Sequence, residues 1–510
     1  MAKVNQVKVG SILSYAQIGL SIVVGLIYTP LMIRFLGKSE YGLYNTVAST
    51  ISALSILSLG FNSSYIRYYS RYKKNNDISG IYNLNGLFML IFSIIGFVAL
   101  LCGIFLSYNL KYVFSDGLTA NEYSTARILM LLMTINLSIS FPMSVFTNII
   151  SAHEKFIFLK LIGMIRTVLT PILIVPMLFM GIKSKGIVCV TVFLSLIVDT
   201  VYIIFTFSKI KTKFKLDSIE RGLFKEIFLF SGLIAINLIV DQVNNNLDKI
   251  IIGRFRGTEE VALYSVGATL NNYFIVFSTA ISGLFTPRIH KIVNEYKEEN
   301  ETLREKLTSL FVKVGRIQYI MLSLVLSGFI FFGSSFIINI WAEPGYENSY
   351  IIALLLMAPG IVPLIENVGI EIQRALNIHK YRSIIYGIMA VGNLFISIML
   401  CKKYGAVGSA VGTTIAVVVA NGIIMNIFYH KRCYIDMVLF WKNIISISKG
   451  LIIPLIVGIV ITVSIDLNNK LLLFISIGIY TISFVVSMWL CGMNEYEKSV
   501  ISAAIKRIQR

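Results

Sequence analysis

The stretch NLIVDQVNNNLDK, residues 237–249, sets carboxylates and amides into an otherwise apolar run. Asn237, Asp241, Asn244 and Asp248 are spaced by four, three and four positions, which places them on one face of an α-helix. Gln242, Asn245 and Lys249 lie alongside. Ionisable groups are costly in hydrocarbon, so such a face belongs against a bundle interior or water. Amides and carboxylates there suit the hydroxyls of a sugar, and Asp241 and Asp248 are also candidate proton carriers. The bland alternative makes Asp248 and Lys249 a solvated helix end.

A second cluster is PGIVPLIENVGIEIQRALN, residues 359–377. Pro359 and Pro363 each remove a helical hydrogen bond and should bend the chain. Glu366 follows the bend at depth, with Glu371 and Arg374 three residues apart beyond it. Glu366 is a candidate for a cavity or ion-coupling role. Glu371 and Arg374 either pair at that site or cap the end of the span. Two further arginines stand within or beside apolar runs, Arg166 and Arg67. A guanidinium matches the oxygens of a phosphate or pyrophosphate in a bidentate way, although Arg67 equally fits an interfacial anchor.

These groups need elements that cross a bilayer. The chain has 510 residues, of which 56% are hydrophobic and 14% charged, against about a quarter charged in soluble domains. Apolar runs long enough to span a membrane recur from residue 10 to residue 491, and fourteen are expected. The seventh, 227–252, is polar; the eleventh and twelfth, 382–401 and 405–429, are closely spaced; the last pair covers 444–465 and 470–491. With the N-terminus inside, alternate loops and termini hold 32 of the 45 lysines and arginines and the opposite loops 11, the bias of cytoplasmic segments. Both termini are therefore expected in the cytoplasm. The net charge of +19 is accounted for by basic loops facing anionic lipid, without nucleic acid. The five cysteines show no CxxC spacing, and the histidines (His153, His290, His379, His430) have no ligand neighbours at helical spacing. No catalytic or nucleotide-binding motif is present, so neither an enzyme nor a cofactor is expected.

The elements repeat. RFLGKSEYGLYNTVAS at Arg34 and RFRGTEEVALYSVGAT at Arg254 share seven of sixteen positions. Pro142 and Pro363, Lys155-Phe156 and Lys380-Tyr381, and KSKG at Lys183 and KKYG at Lys402 follow in the same order at nearly the same offset. Six spans per copy is an even number, so the copies run in the same direction, as parallel repeats related by an axis along the membrane normal. The expectation is an all-α polytopic membrane protein. Its two six-helix lobes, 1–222 and 223–432, would flank a central cavity, with an added helix pair and tail in 433–510.

Arg34, Phe35, Leu36, Gly37 and then Glu40, Tyr41, Gly42, Leu43, Tyr44 resemble the first loop of polysaccharide transporters of the O-antigen flippase type. These belong to the multidrug/oligosaccharidyl-lipid/polysaccharide exporter superfamily. Locally the motif reads as a helix end and restart, with Gly37 in a left-handed cap, Ser39 capping the next helix and Glu40 near its positive end. The resemblance extends over the whole chain and implies a flippase for undecaprenyl-pyrophosphate-linked oligosaccharide in the bacterial inner membrane. It would work by alternating access, with a coupling cation (proton or sodium), membrane lipids and a polysaccharide polymerase machinery as partners. A lipid II flippase, a cation-coupled multidrug exporter of the same superfamily and a non-transporting scaffold are the alternative readings.

Overall fold

The computed structural model describes residues 6–114, 117–217, 221–296, 299–499 and 502, and all regular structure among them is helical. Among the described residues, twelve helices are long and apolar enough to cross a membrane. The longest, His379–Arg432, bends at Gly405, whose φ of 62° and ψ of −143° lie outside the helical region. Counting its two parts separately, and adding the helix Arg221–Phe255, gives fourteen segments among the described residues. They are α1 (Gln6–Leu36), α2 (Lys38–Lys74), α3 (Ile78–Tyr108), α4 (Ala120–Ala152), α5 (Phe156–Phe179), α6 (Lys183–Ile210) and α7 (Arg221–Phe255). Then follow α8 (Thr258–Glu295), α9 (Asn300–Trp341), α10 (Glu347–Ile365), α11 and α12 (379–404 and 406–432), α13 (Met437–Ser464) and α14 (Lys470–Gly492).

Two compact units can be distinguished. The first comprises residues 1–262 with 398–409, the second 263–397 with 410–510. In the first, α3 packs along α4, α1 along α5, and α2 along α7. Its core is aromatic where α2 meets α3: Phe61, Tyr65, Tyr69, Phe88 and Phe92 are buried together. Tyr65 donates to Asn85 Oδ1 at 2.7 Å, and Asn85 donates to Thr212 at 2.8 Å, so the buried polar groups are satisfied. In the second unit α9 is the hub against which α10, α13 and α14 pack. Large apolar side chains such as Phe105, Ile388 and Val463 remain exposed along the helices, the surface expected where lipid is the solvent.

Just beyond α4, His153 is wedged against Tyr69. Its Nδ1 donates to the Ile149 carbonyl at 2.9 Å, which leaves Nε2 to accept from the Tyr69 hydroxyl at 3.0 Å. Burial holds the imidazole pKa below its usual value, with Lys73 and Lys155 pushing the same way and the Ile149 bond opposing them. The folded state thus favours neutral histidine. Its contribution is present above the unfolded pKa of about 6.5 and is lost as pH falls below it. Thermal unfolding scans from pH 7.5 downward should show the protein losing stability on acidification, and His153→Gln should shrink that dependence.

The repeated loop shows why it is written twice. Gly37 and Gly257, equivalent in the two copies, take positive φ of 76° and 84° and end one helix while the next begins one residue later. Gly37 has ψ of 169°, an extended conformation and not the left-handed helical cap anticipated. Glu40 accepts from the Ser184 backbone N–H at 3.0 Å and hydroxyl at 2.5 Å, at the start of α6, with Lys183 3.3 Å away. Its counterpart Glu260 accepts from the Ala406 N–H at 2.8 Å, at the start of α12. Each copy uses its glutamate to satisfy orphan donors at the N-terminus of its sixth helix. The two repeated motifs, RFxG…E and the KxxG anchors, are therefore two sides of one contact.

Ser39 departs from expectation. It lies inside the first turn of α2, where the N-cap is Gly37 with no side-chain bond. Its hydroxyl instead donates to Glu122 Oε1 at 2.6 Å, and Thr258, which opens α8, donates to the same oxygen at 2.6 Å. Glu122 is the third residue of α4 and completes a capping box with Thr119. One carboxylate therefore holds the first turns of both copies of the repeated loop.

Candidate functional site

Proline and the turn after it shape a cavity in the second unit. Pro359 and Pro363 sit in the last turns of α10, which ends at Ile365; after a turn at Glu366-Asn367 a short helix, Val368–Ala375, resumes. The carbonyl of Leu364, which also accepts from the Asn367 N–H at 3.4 Å, accepts from Ser278 of α8 at 2.8 Å, and Gln318 of α9 backs Ser278 at 2.9 Å. Against this turn lies a cavity of about 300 Å³, lined by Pro359, Pro363 and Asn367 together with residues of α8, α11 and α12. Its polar lining includes Asn271, Arg382, Tyr386, Thr413 and Asn421. The Arg382 guanidinium lies 4.4 Å from the Tyr386 ring centroid, and the Tyr386 hydroxyl donates to Asn421 Oδ1. Amides, hydroxyls, an aromatic ring and one guanidinium in a single recess can bind sugar hydroxyls and an anionic group.

Glu366 does not line this recess; it is 1% exposed, directly behind Asn367. Asn426 of α12 donates to its Oε1 at 2.9 Å and accepts from the Trp441 indole N–H at 2.6 Å. A carboxyl so enclosed beside the Asn426 amide is a group whose charge state matters to its surroundings. Glu371 and Arg374 form an i,i+3 ion pair at 2.5 Å, with the arginine side chain 60% exposed. They therefore sit at the edge of the helix, apart from the cavity.

The polar face of α7 is divided. Asp248 is buried, and the Ser409 hydroxyl donates to it at 2.7 Å, so it is not a solvated surface group. Lys249 is half-buried beside it, whereas Asn244 is exposed. The side chains of Asn237 and Asp241 lie outside the described residues. Gln242 donates to Ser55 of α2 at 3.0 Å, fixing that part of α7.

The arginines in the first unit occupy separate places. Arg166 of α5 donates to Ser195 of α6 at 2.8 Å, within electrostatic reach of Asp199 one turn on. Arg67 is exposed on α2, stacked over Phe230 of α7 at 4.2 Å. Near it Asn148 donates to Asn62 at 2.8 Å. Arg382, the first residue of the expected eleventh span, is not among the candidates read from the sequence; the structure puts it in the first turn of α11, on the cavity wall. Its proximity in sequence to the kinked tenth span was the available signal.

With the geometry in view, likeness to known proteins can be placed. The profile of the family described as "Polysaccharide biosynthesis protein" matches residues 8–293. A Shigella flexneri protein described as "Putative O-antigen transporter" is 21% identical over 416 residues, covering 78% of this chain and 92% of that protein. The Staphylococcus aureus capsular polysaccharide biosynthesis protein CapF is 26% identical over 214 residues, 41% of this chain and 51% of its own. Among solved structures, the lipid II flippase MurJ in an inward closed conformation superposes with a TM-score of 0.68 at 16% identity, covering 94% of this chain and 97% of that one. An inward-facing multidrug resistance MATE transporter of the MOP superfamily gives 0.64 at 13% identity, covering 85% and 99%. At these identities the structures speak for the fold alone. The family profile spans more than half of the residues, and the chain belongs to the polysaccharide biosynthesis protein family.

Proposed function

We propose that this multi-pass membrane protein is a flippase. It carries undecaprenyl-pyrophosphate-linked oligosaccharide across the bacterial inner membrane for O-antigen, capsule or exopolysaccharide synthesis. The lobes 1–222 and 223–432 rock against each other to expose the substrate alternately on each side, and 433–510 contributes the added helix pair, with both termini in the cytoplasm. The observation that carries the reading is how the fold likeness divides. The drug transporter covers 85% of the chain. The flippase fold covers 94%, a share that requires part of the added pair as well. Family membership supplies the polysaccharide context.

In this reading the recess around Arg382, Asn367 and Asn421 contacts glycan and phosphate. Asp241, Asn237, Asn244, Asp248 and Lys249 form the polar path on α7, Arg166 and Arg67 are further pyrophosphate contacts, and Glu371 and Arg374 flank the tenth span. Glu366 and Asp241 are the groups through which a proton or sodium ion would couple. No bond is made or broken in the translocated molecule, so the work asked of these side chains is binding and orientation.

Deleting the gene in its host and analysing lipid-linked glycans tests this. Undecaprenyl-linked oligosaccharide should accumulate on the cytoplasmic side, wild type should restore export, and Asp241→Asn with Glu366→Gln should fail to do so. Normal glycan export together with new drug sensitivity would replace the flippase by an exporter. A second reading, transport of lipid II, is favoured by the MurJ-like fold; accumulation of peptidoglycan precursor instead of surface glycan would select it.

A further inference from the structure

A larger recess than the polar cavity opens elsewhere in the second unit, where α12 ends and α13 begins. Its volume is about 720 Å³, and its walls include Ile427, Met437, Val438, Trp441 and Ile445. Val438 and Ile445 are 72% and 67% exposed, so the groove gives onto the surface that faces lipid. Its lining also holds His430, Lys431 and Lys442. All three are exposed, and among the described residues neither lysine is in an ion pair. The nearest acid in sequence, Asp436, is engaged in capping α13 through the Val438 and Leu439 N–H groups and in pairing with Arg304 at 3.7 Å. Unpaired cations beside an exposed apolar groove at a helix end match an amphiphile with a negative head and hydrocarbon chains. Trp441 has the character of an interfacial side chain, but its indole N–H is already committed to Asn426. Its ring is thus left to pack against a chain.

We propose that this groove is a binding site for an anionic phospholipid, the phosphate held by Lys431, Lys442 and His430 and an acyl chain lying against Trp441, Val438 and Ile445. With the termini inside, as in the functional reading above, the lipid belongs to the cytoplasmic leaflet; the site itself does not depend on what is transported. It reaches the buried carboxylate by a short route. Trp441 donates to Asn426, and Asn426 donates to Glu366. A lipid that fixes the Trp441 ring therefore also fixes the amide that holds Glu366.

The test uses the full-length protein in phosphatidylcholine nanodiscs, with a minor fraction of either brominated phosphatidylglycerol or brominated phosphatidylcholine as quencher. The Trp441 signal is the difference between wild type and Trp441→Phe, since Trp341 and Trp489 remain in both. Two lysines near an anionic headgroup give a preference of roughly thirtyfold. Brominated phosphatidylglycerol should quench this signal at a far lower mole fraction than brominated phosphatidylcholine. The double variant Lys431→Gln/Lys442→Gln alters exposed side chains only and should keep the wild-type melting temperature while losing the preference. Equal quenching by the two lipids, or an unchanged preference in the double variant, would overturn the proposal. So would loss of the phosphatidylglycerol signal on adding stoichiometric undecaprenyl pyrophosphate, which would assign the groove to the transported lipid.

Discussion

Arg316→Ala is expected to destabilise the detergent-solubilised protein by about 3–5 kcal/mol, the range for stripping one partner from a buried ion pair. The Arg316 and Glu497 side chains are 5% and 2% exposed, with Nε 2.5 Å from Oε1 and Nη2 3.0 Å from Oε2. Two further donors are used as well: Nη1 reaches the Asn443 carbonyl at 2.9 Å and Nη2 the Gly492 carbonyl at 3.2 Å, while Glu497 also accepts from the Asn494 N–H at 2.9 Å. One guanidinium on α9 thereby ties down α13, the end of α14 and the segment that follows it. Glu497→Ala should cost a similar amount, because it leaves a buried cation without its counter-charge. Arg316→Met combined with Glu497→Leu should cost less than either single change, since an apolar pair removes both desolvation penalties at once. Melting curves of the wild type, the two alanine variants and the Arg316→Ala/Glu497→Ala double form a double-mutant cycle. Additive losses would mean that the two groups do not depend on each other, and the pair would then not be what fastens the added helices.

How much of this was legible beforehand differs from residue to residue. The spans were, because helices apolar all round leave a signal that survives without any knowledge of their neighbours. The close spacing of 382–401 and 405–429 also foreshadowed one long helix bent at Gly405. The duplication was legible because both copies keep Gly37 and Gly257 where positive φ is needed, and Glu40 and Glu260 where a helix start needs an acceptor. Long-range polar partners were not. A positive-inside tally cannot distinguish a solvated arginine from Arg316, buried against a glutamate 181 positions away. Arg382 was missed for the same reason. Ser39 looked like an N-cap because its type and position fit one, but a carboxylate 83 residues away offers a stronger, charge-assisted acceptor. For Glu122 itself the local half was readable: Thr119-Ala120-Asn121-Glu122 is a capping-box pattern. Nothing in that pattern reveals that the free oxygen serves Ser39 and Thr258.

That joint predicts the second large effect. Glu122 Oε1 receives both hydroxyls, and Oε2 receives the Thr119 N–H and hydroxyl at 2.8 Å each. Glu122→Ala should cost roughly 2–3 kcal/mol, the worth of one or two hydrogen bonds to a charged group after discounting the partial exposure of the site. Glu122→Gln should cost less, since its carbonyl can still serve the paired hydroxyls while the N–H of Thr119 loses its acceptor. Gly42→Ala attacks the same contact from the other side. An added Cβ would lie 1.8 Å from the Thr258 carbonyl oxygen and 2.6 Å from its carbon, backbone atoms that no rotamer change can move aside. The first turns of α2 and α8 would have to separate, at a cost of about 1–3 kcal/mol or more, and Thr258 would be drawn off the carboxylate. If both changes act through one joint, the double variant should lose clearly less stability than the sum of the two, because separated turns have already forfeited the Thr258 bond. Full additivity in melting curves would show instead that Glu122 supports α2 through Ser39 alone. The meeting of the two repeated loops would then be held by close backbone packing without the shared carboxylate.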